Sequence, residues 1–428
     1  MKYALDGRTV LVAGMGKSGI AAAELLRRHG AVVRATDDKP KSADILPQKE
    51  ETFTSVDLIV LSPGVPVDID PVAAARKKGI PIIGEVELAG YFLRGPIAGI
   101  TGSNGKTTTT ALIGHLLKAS GIAAQVGGNI GTPPTSMVET SQENQWNVLE
   151  LSSFQLETID EFRAQIGVCT NITPDHLDRH HTLENYANAK ARLFETQSSD
   201  CHAVLNADDA TCVSFGTRTS ATKHWFSRHG PSELYFDGRS ILVDGQCLIQ
   251  AEELPIRGVH NIENAMAAVA SARLAGTSID DLASALRTFP GVEHRLEFVR
   301  ERNGVRFYND SKATNVDATE KAIDAFPGNL WIILGGKDKN SDYTVLREKL
   351  RRKAKNVLLI GSAAPKIAEQ LQGLPLIESG AIDRALERAA SQAVPGDVVL
   401  LAPACASFDQ FENFEHRGRV FKELVRSL

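Results

Sequence analysis

Apolar residues in this chain come mainly as short runs of four or five, each followed by glycine or polar residues and then by helical spacing. Such runs, too short for helices and too uniform for one-sided strands, predict parallel strands buried on both faces. The first part predicts strands at 9–13, 32–35, 58–61 and 81–83, with helices at 21–28, 72–78 and 86–92. The middle part predicts strands at 96–100, 148–151 and 166–170. A helix there runs from the loop at 101–107 through 118, and two more lie at 262–274 and 279–288. The last part predicts strands at 305–308, 331–334, 357–360 and 398–401, with helices at 317–325, 342–353, 364–371 and 381–391. The expected fold is α/β in three domains. The N-terminal one (1–92) is Rossmann-like, the central one (93–291) is a P-loop ATPase-type mostly parallel sheet, and the C-terminal one (292–428) is again Rossmann-like. In open α/β sheets ligands sit outside the carboxyl ends of strands, so functional residues are expected in the loops there.

Two glycine-rich turns stand at such ends. Thr101-Gly102-Ser103-Asn104-Gly105-Lys106-Thr107 lies between a strand and a helix. Its glycines let backbone N–H groups close around phosphate oxygens, Lys106 can reach the outer phosphates, and the Thr107 hydroxyl can ligate Mg2+. Ile100 stands where the full G-x-x-x-x-G-K-[ST] pattern has glycine, so the loop is a variant. The second turn, Gly14-Met15-Gly16-Lys17-Ser18-Gly19, has the G-x-G-x-x-G form, with Asp37 and Asp38 about 20 residues on. It points to a dinucleotide or a nucleotide sugar, or to a purely structural turn.

Further candidates lie beyond these turns. Glu150 sits in an apolar strand, where a lone carboxylate is costly; a sheet-edge salt bridge or a magnesium ion can satisfy it. The stretch 171–181, with Asp175, His176, Asp178, Arg179, His180 and His181, is dense enough to orient a metal, a phosphate or a water. Asn261 and Asn264 precede an alanine-rich helix and suit either capping or recognition of a base. Arg295 offers a planar fork for phosphates. Asp310 and Lys312 form either a loop-stabilising charge pair or part of a site. By residue type alone Lys190 reads as a surface lysine.

Composition narrows the class. The chain has 428 residues, 43% hydrophobic and 23% charged, as expected of a soluble multidomain protein. Its net charge of -5 gives no hint of nucleic acid or an anionic membrane. Five cysteines at 169, 201, 212, 247 and 405 form no C-x-x-C pair, which suits a reducing cytoplasm. Residues 1–12 lack a signal-like apolar stretch and no run approaches 18 apolar residues, so no membrane insertion is expected.

The order of T-G-S-N-G-K-T, L-E-L-S-S-F-Q-L-E, N-I-T-P-D-H-L-D-R-H, A-K-A-R-L-F, H-N-I-E-N, H-R, N-D-S-K-A-T-N and P-A-C-A-S-F-D-Q-F covers most of the chain. It resembles the Mur ligase family, which builds the peptide of the bacterial cell-wall precursor. The resemblance implies a cytoplasmic, monomeric ATP-dependent ligase whose partners are UDP-N-acetylmuramoyl-L-alanine and D-glutamate. The first domain would bind the UDP-sugar rather than a nicotinamide cofactor. An acyl phosphate, then a tetrahedral intermediate, would lead to amide, ADP and phosphate.

The resemblance also implies site roles. ATP would meet Gly102, Ser103, Asn104, Gly105, Lys106, Thr107, Thr108, Asn261, Asn264, Arg295 and Asp310. Two Mg2+ ions would be served by Thr107 and Glu150 and by His176 and Lys190, the last as a carbamate. Lys106, Glu150, His176, Lys190 and Lys312 would act in catalysis. Lys17, Ser18, Asp37, Asp38, Lys39, Ser62, Gly64, Asn129, Ser152, Gln155 and His176 would hold the UDP-sugar peptide. Thr314, Lys339 (with Lys337 as the alternative), Ser407 and Phe414 would surround D-glutamate. The rival readings are a ligase for another amino acid, a folylpolyglutamate-type ligase, a non-catalytic nucleotide-binding regulator and a nicotinamide dehydrogenase.

Overall fold

The computed structural model describes residues 4–39, 42, 44–256 and 258–428. Among these, three sheets form. The first uses β1 (Thr9–Ala13), β2 (Val32–Thr36), β3 (Ile45–Leu46), β4 (Leu58–Leu61) and β5 (Ile82–Gly84), all parallel, in the order β3-β2-β1-β4-β5. Alternate residues face two different cores. Val10 and Val12 pack with Leu58 and Val60 on one side, while Leu11 and Ala13 pack with Ile59 and Leu61 on the other. Burial on both faces is why these strands read as unbroken apolar runs.

The second sheet holds β6 (Ile97–Thr101), β7 (Ala124–Gly128), β8 (Trp146–Glu150), β9 (Ile166–Cys169), β10 (His202–Asn206), β11 (Thr222–Ser227), β12 (Leu234–Phe236), β13 (Ser240–Val243) and β14 (Gln246–Gln250). Their order is β14-β13-β12-β11-β10-β9-β6-β8-β7, parallel except where β12, β13 and β14 pair antiparallel. The third sheet runs β15 (Glu297–Arg302), β16 (Val305–Asn309), β20 (Val398–Leu401), β17 (Leu330–Gly335), β18 (Ala354–Ile360) and β19 (Leu376–Gly380), with only β15 antiparallel. The chain divides into two compact units. One, through Leu254 and again over Val259–Phe289, carries the first two sheets; the other is built mainly from Pro290–Leu428 and carries the third.

The apolar-run strands form where expected. Several strands were not anticipated; one of them, β10 (His-Ala-Val-Leu-Asn), is buried along most of its length, and others have polar or mixed faces. β15 (Glu-Phe-Val-Arg-Glu-Arg) and β11 (Thr-Lys-His-Trp-Phe-Ser) are half exposed, and β7 is glycine-rich. Two helices differ from expectation. The segment 342–353 splits into a 3-10 turn, Tyr343–Leu346, and a helix, Arg347–Lys353, because the Asp342 side chain caps a tight turn first. The alanine-rich helix starts at Val259, so Asn261 and Asn264 lie inside it rather than ahead of it.

Within the first unit, the helix Glu85–Gly90 fastens the first sheet to the second. Glu87 is fully buried and its carboxyl oxygens accept from the backbone N–H groups of Asp160, Glu161 and Phe162 at 2.8, 2.8 and 2.9 Å. Glu85 Oε1 accepts from Thr135 N and Oγ1 at 2.8 and 2.6 Å. Burial pushes the Glu85 carboxyl up to about 7, against those two bonds. Glycine permits the close approach: a Cβ at Gly84 would lie 2.0 Å from Thr158 Oγ1. A Glu87→Ala change leaves three N–H donors, that of Phe162 buried, without their acceptor and is expected to cost about 3 kcal/mol in chemical denaturation. A loss below about 1 kcal/mol would mean that these donors find other partners.

Candidate functional site

The phosphate loop leaves β6, which lies between β9 and β8 in the sheet, so both neighbours reach it. Gly102 (φ 136°) and Gly105 (φ 86°) are both in the glycine-favouring region. There is no room for a side chain at either: a Cβ would lie 2.0 Å from Thr170 Oγ1 at the first and 2.1 Å from Asn264 Oδ1 at the second. The segment after β9 clamps the loop. Ser103 N donates to Asn171 O at 2.7 Å, Asn104 N to Asn171 Oδ1 at 3.0 Å, and Thr170 Oγ1 to Asn104 O at 2.6 Å. Ser103 Oγ donates to Thr173 O at 2.9 Å. Thr107 and Thr108 are buried in the first turn of the helix Lys106–Ala119.

Two lysines converge under this loop. Lys106 Nζ donates to the carbonyls of Gly102 and Ser103, both at 2.9 Å. Lys190, from the helix Leu183–Glu195, donates to the same Gly102 carbonyl at 2.8 Å. It is buried, with its Nζ 4.6 Å from the centre of the Tyr186 ring. Burial first, then the nearby Lys106 charge, lowers its pKa to about 7. Lys190 is thus no surface lysine; residue type alone gives no sign of this, because burial is set by what packs around the helix.

Glu150 ends β8 beside β6, where its backbone pairs with Ile100. Its Oε1 accepts from Asn129 Nδ2 at 2.9 Å, and its Oε2 is buried with no hydrogen-bond partner among the described residues. A salt bridge therefore does not account for it. An orphaned carboxyl oxygen on the strand beside the one that feeds the loop suits a cation.

The polar cluster at 171–181 separates into two functions. Arg179 pairs with Glu157 at 2.6 Å, and His180 lies 2.9 Å from Ser153 Oγ and 3.4 Å from Glu157. Both are thereby tied to the helix Ser153–Leu156. His176 is different: its backbone is left-handed (φ 52°), its side chain is half exposed, and its ring stands 4.8 Å from that of Phe154.

Around the first sheet, Asp37 braces the glycine turn, accepting from Met15 N at 2.6 Å and Lys39 N at 2.9 Å. Ser62 Oγ donates to Gly14 O at 2.6 Å. Lys17 and Ser18 open the helix Lys17–Arg28, while Asp38, Lys39 and Gly64 are exposed nearby in the chain. Ser152 and Gln155 form a reciprocal cap on the helix Ser153–Leu156. Ser62, Glu85, Phe154 and Gln155 line one narrow cleft, which brings residues of both sheets together. Asn264 has its amide partly engaged, accepting from Thr109 Oγ1 at 3.3 Å and donating to Asn261 Oδ1 at 2.9 Å.

In the second unit the loops after β16, β17 and β20 meet. Ala404 N donates to Ala313 O at 2.9 Å, and Lys337 and Ala406 exchange backbone bonds of 2.8 and 3.1 Å. Asp310 is buried and pushed up to about 7 by that burial, against the charges of Arg295 and Lys312. Ser407 is buried, Lys337 and Lys339 are exposed, and Ser311 Oγ donates to the carbonyl of Phe414 at 2.8 Å. Thr314 N donates to Lys312 O at 2.8 Å, in the loop after β16.

Comparison with known proteins agrees with this geometry. The N-terminal domain of the MurD-like Mur ligases is matched at residues 8–84, the Mur ligase middle domain at 100–272 and the Mur ligase glutamate ligase domain at 294–405. The UDP-N-acetylmuramoylalanine--D-glutamate ligase of Solibacter usitatus is 57% identical, over 99% of both chains. That of Acidobacterium capsulatum is 51% identical over 98% of this chain and 96% of its own. Among solved structures, a UDP-N-acetylmuramate-alanine ligase from Thermotoga maritima shares the fold at 18% identity, with a TM-score of 0.63 over 98% of this chain and 99% of that one. A MurF ligase from Thermotoga maritima in complex with ADP does so at 20% identity and a TM-score of 0.63, over the whole of both chains. The chain belongs to the Mur ligase family, and within it to the D-glutamate-adding ligases. It is therefore an enzyme that forms a C–N bond.

A Gly105→Ala change puts a Cβ into a left-handed position and against Asn264. The strain of about 1–2 kcal/mol is expected to weaken ATP binding roughly tenfold, measured by titration calorimetry. Unchanged affinity would mean that the loop relaxes without affecting ATP binding.

Proposed function

We propose that this chain joins D-glutamate to UDP-N-acetylmuramoyl-L-alanine, with ATP converted to ADP and phosphate, in cytoplasmic peptidoglycan precursor synthesis. The observation that carries the reading is 57% identity over nearly the full length to a ligase of that name. A carboxylate is a poor electrophile, so its oxygen first attacks the γ-phosphate of ATP. The resulting acyl phosphate carries a leaving group. The D-glutamate amine attacks it, a tetrahedral intermediate forms, phosphate departs and the amine proton is lost. The first step brings two anions together, so cations must surround it.

The residues divide accordingly. The amides of Gly102–Gly105 and Lys106 take the phosphates, with Thr108 behind them, and Asn261, Asn264, Arg295 and Asp310 complete the ATP contacts. Glu150 and Thr107 would hold one Mg2+, and the buried, unpartnered Glu150 Oε2 fits that role. His176 and Lys190 would serve a second. Among the described residues no three His, Cys, Asp or Glu side chains gather at one point, so phosphate oxygens and water would supply most ligands. When bound, these ions would neutralise the charge that builds as the phosphate transfers.

Lys190 would act as a carbamate. With its pKa lowered to about 7, much of the amine is neutral at physiological pH. The neutral nitrogen adds to carbon dioxide, forming an N–C bond and releasing one proton, and the product is an anion able to meet a metal. Below about pH 7 the ammonium form prevails and the carbamate fraction falls.

Lys17, Ser18, Asp37, Asp38, Lys39, Ser62, Gly64, Asn129, Ser152, Gln155 and His176 would bind the UDP-sugar peptide. Thr314, Lys339, Ser407 and Phe414 would bind D-glutamate, with Lys312 at the acyl-phosphate end. The domains proposed are 1–92 for the UDP-sugar, 93–291 for ATP and 292–428 for the amino acid. Among the described residues no helix is long and apolar enough to cross a membrane. A monomer is proposed.

Phosphate release from ATP should require both UDP-N-acetylmuramoyl-L-alanine and D-glutamate. Release with L-glutamate, L-lysine or meso-diaminopimelate instead would move the enzyme to another step. Carbon-13 NMR in labelled bicarbonate should show a carbamate signal that falls as pH drops through about 7 and is absent from Lys190→Arg. A wild-type protein without that signal would remove the carbamate from the mechanism.

A further inference from the structure

Arg417 lies in the helix Phe414–Ser427 and is fully buried. Its surroundings are almost all oxygen from backbone. Nε donates to Ser311 Oγ at 3.0 Å. One terminal nitrogen donates to the carbonyls of Cys405 and Ala406 at 3.2 and 3.4 Å. The other donates to the carbonyls of Ser311 and Cys405 at 2.9 and 3.2 Å. The third loop closes the same space, since a Cβ at Gly336 would lie 2.3 Å from Ala406 O and 3.2 Å from an Arg417 nitrogen. The guanidinium thus sits where the loops after β16, β17 and β20 converge. Those loops carry Lys312 and Thr314, Lys337 and Lys339, and Ser407.

No ion pair to Arg417 forms among the described residues. The carboxyl that acts on it, Asp409, is engaged elsewhere, accepting from Ser362 N at 2.9 Å. A buried charge without a counter-ion is expensive, and backbone carbonyls only partly repay it. Burial lowers its pKa to about 10, so it remains charged at neutral pH. A purely structural tie between loops needs no net charge.

We propose that Arg417 is a specificity-determining positioning residue. It sets the three loops of the amino-acid site in one geometry and leaves beneath them a positive charge, held by dipoles rather than by an ion pair, that favours an acidic amine substrate over a neutral one. This rests on the reading of the second unit as the part that binds D-glutamate. The planar fork is essential to the first role, because only guanidinium reaches separate carbonyls from fixed directions. The charge is essential to the second.

Wild type, Arg417→Met and Arg417→Lys should be assayed for phosphate release with D-glutamate and its neutral isostere D-glutamine. KM values for ATP and the UDP-sugar should be measured in parallel, with thermal melting to report folding. Arg417→Met is expected to raise the D-glutamate KM about tenfold, by loss of a charge at short range in a screened interior. Its preference for D-glutamate over D-glutamine should shrink, while the ATP KM stays unchanged. Arg417→Lys should keep the preference but turn over more slowly. An unchanged preference in a well-folded Arg417→Met, or KM values that rise equally for all substrates, would overturn the proposal. Should Arg417→Met not fold, Arg417→Lys decides: a retained preference with lower kcat supports it, and a lost preference overturns it. Wild type that releases no phosphate with D-glutamate would instead overturn the functional reading beneath.

Discussion

The Gly102 carbonyl is shared by two lysines, Lys106 at 2.9 Å and Lys190 at 2.8 Å, and much of the first unit follows from that crowding. Two ammonium groups that close, one of them buried, cannot both stay charged without cost. Burial first, and then the nearby Lys106 charge, shifts Lys190 toward neutrality. The geometry in turn demands that the loop leave a strand flanked on both sides. β9 delivers Thr170 and Asn171 to its outer edge, and β8 delivers Glu150 close by. Glycine at 102 is required because Thr170 occupies the space where a side chain would go.

Buried ionisable groups recur at the joints between loops and sheets. Glu87 is satisfied by three backbone N–H groups, and Arg417 by backbone carbonyls and one hydroxyl. Neither relies on an opposite charge. Backbone dipoles are fixed in direction, so a charge that gathers several of them specifies one arrangement of the chain, whereas a lone ion pair tolerates many. Asp310 and Glu85 are less fully compensated, and burial raises both carboxyls to about 7. Among the described residues Glu85 Oε2 and Glu150 Oε2 are each left without a hydrogen-bond partner, but only the second lies beside the phosphate loop.

β1, β4 and β20, buried on both faces, are read directly from their apolar runs, whereas β10, bounded by His202 and Asn206, was not read although it is as deeply buried. β15 was not read either, since none of its residues is fully buried in this antiparallel edge strand. Glycine turns were legible because positive φ restricts the residue type. Glu150 was legible as an anomaly, a carboxylate in an apolar strand. Lys190 was not, since lysine on an amphipathic helix looks the same whether its tip meets water or a carbonyl. Arg417 escaped for the same reason, although it is among the most buried side chains in the second unit. The dense run at 171–181 was visible as a group, but its division into Arg179 and His180, which contact Glu157 and Ser153, and half-exposed His176 depends on those partners arriving from another element.

The order of residues along the chain determined what each segment can do locally: which runs become strands, where the backbone can turn left-handed, and which side chains can hold phosphate or metal. Those properties depend on steric limits and hydrophobicity within a few residues, and the order of motifs was enough to place the chain in its family. Tertiary structure alone decided which of those groups share an environment. Lys190 was shifted toward neutrality, Glu150 kept a bare oxygen, and Arg417 became a charge under three loops. Burial and electrostatic pairing depend on distances between segments far apart in the chain, and no local pattern encodes them.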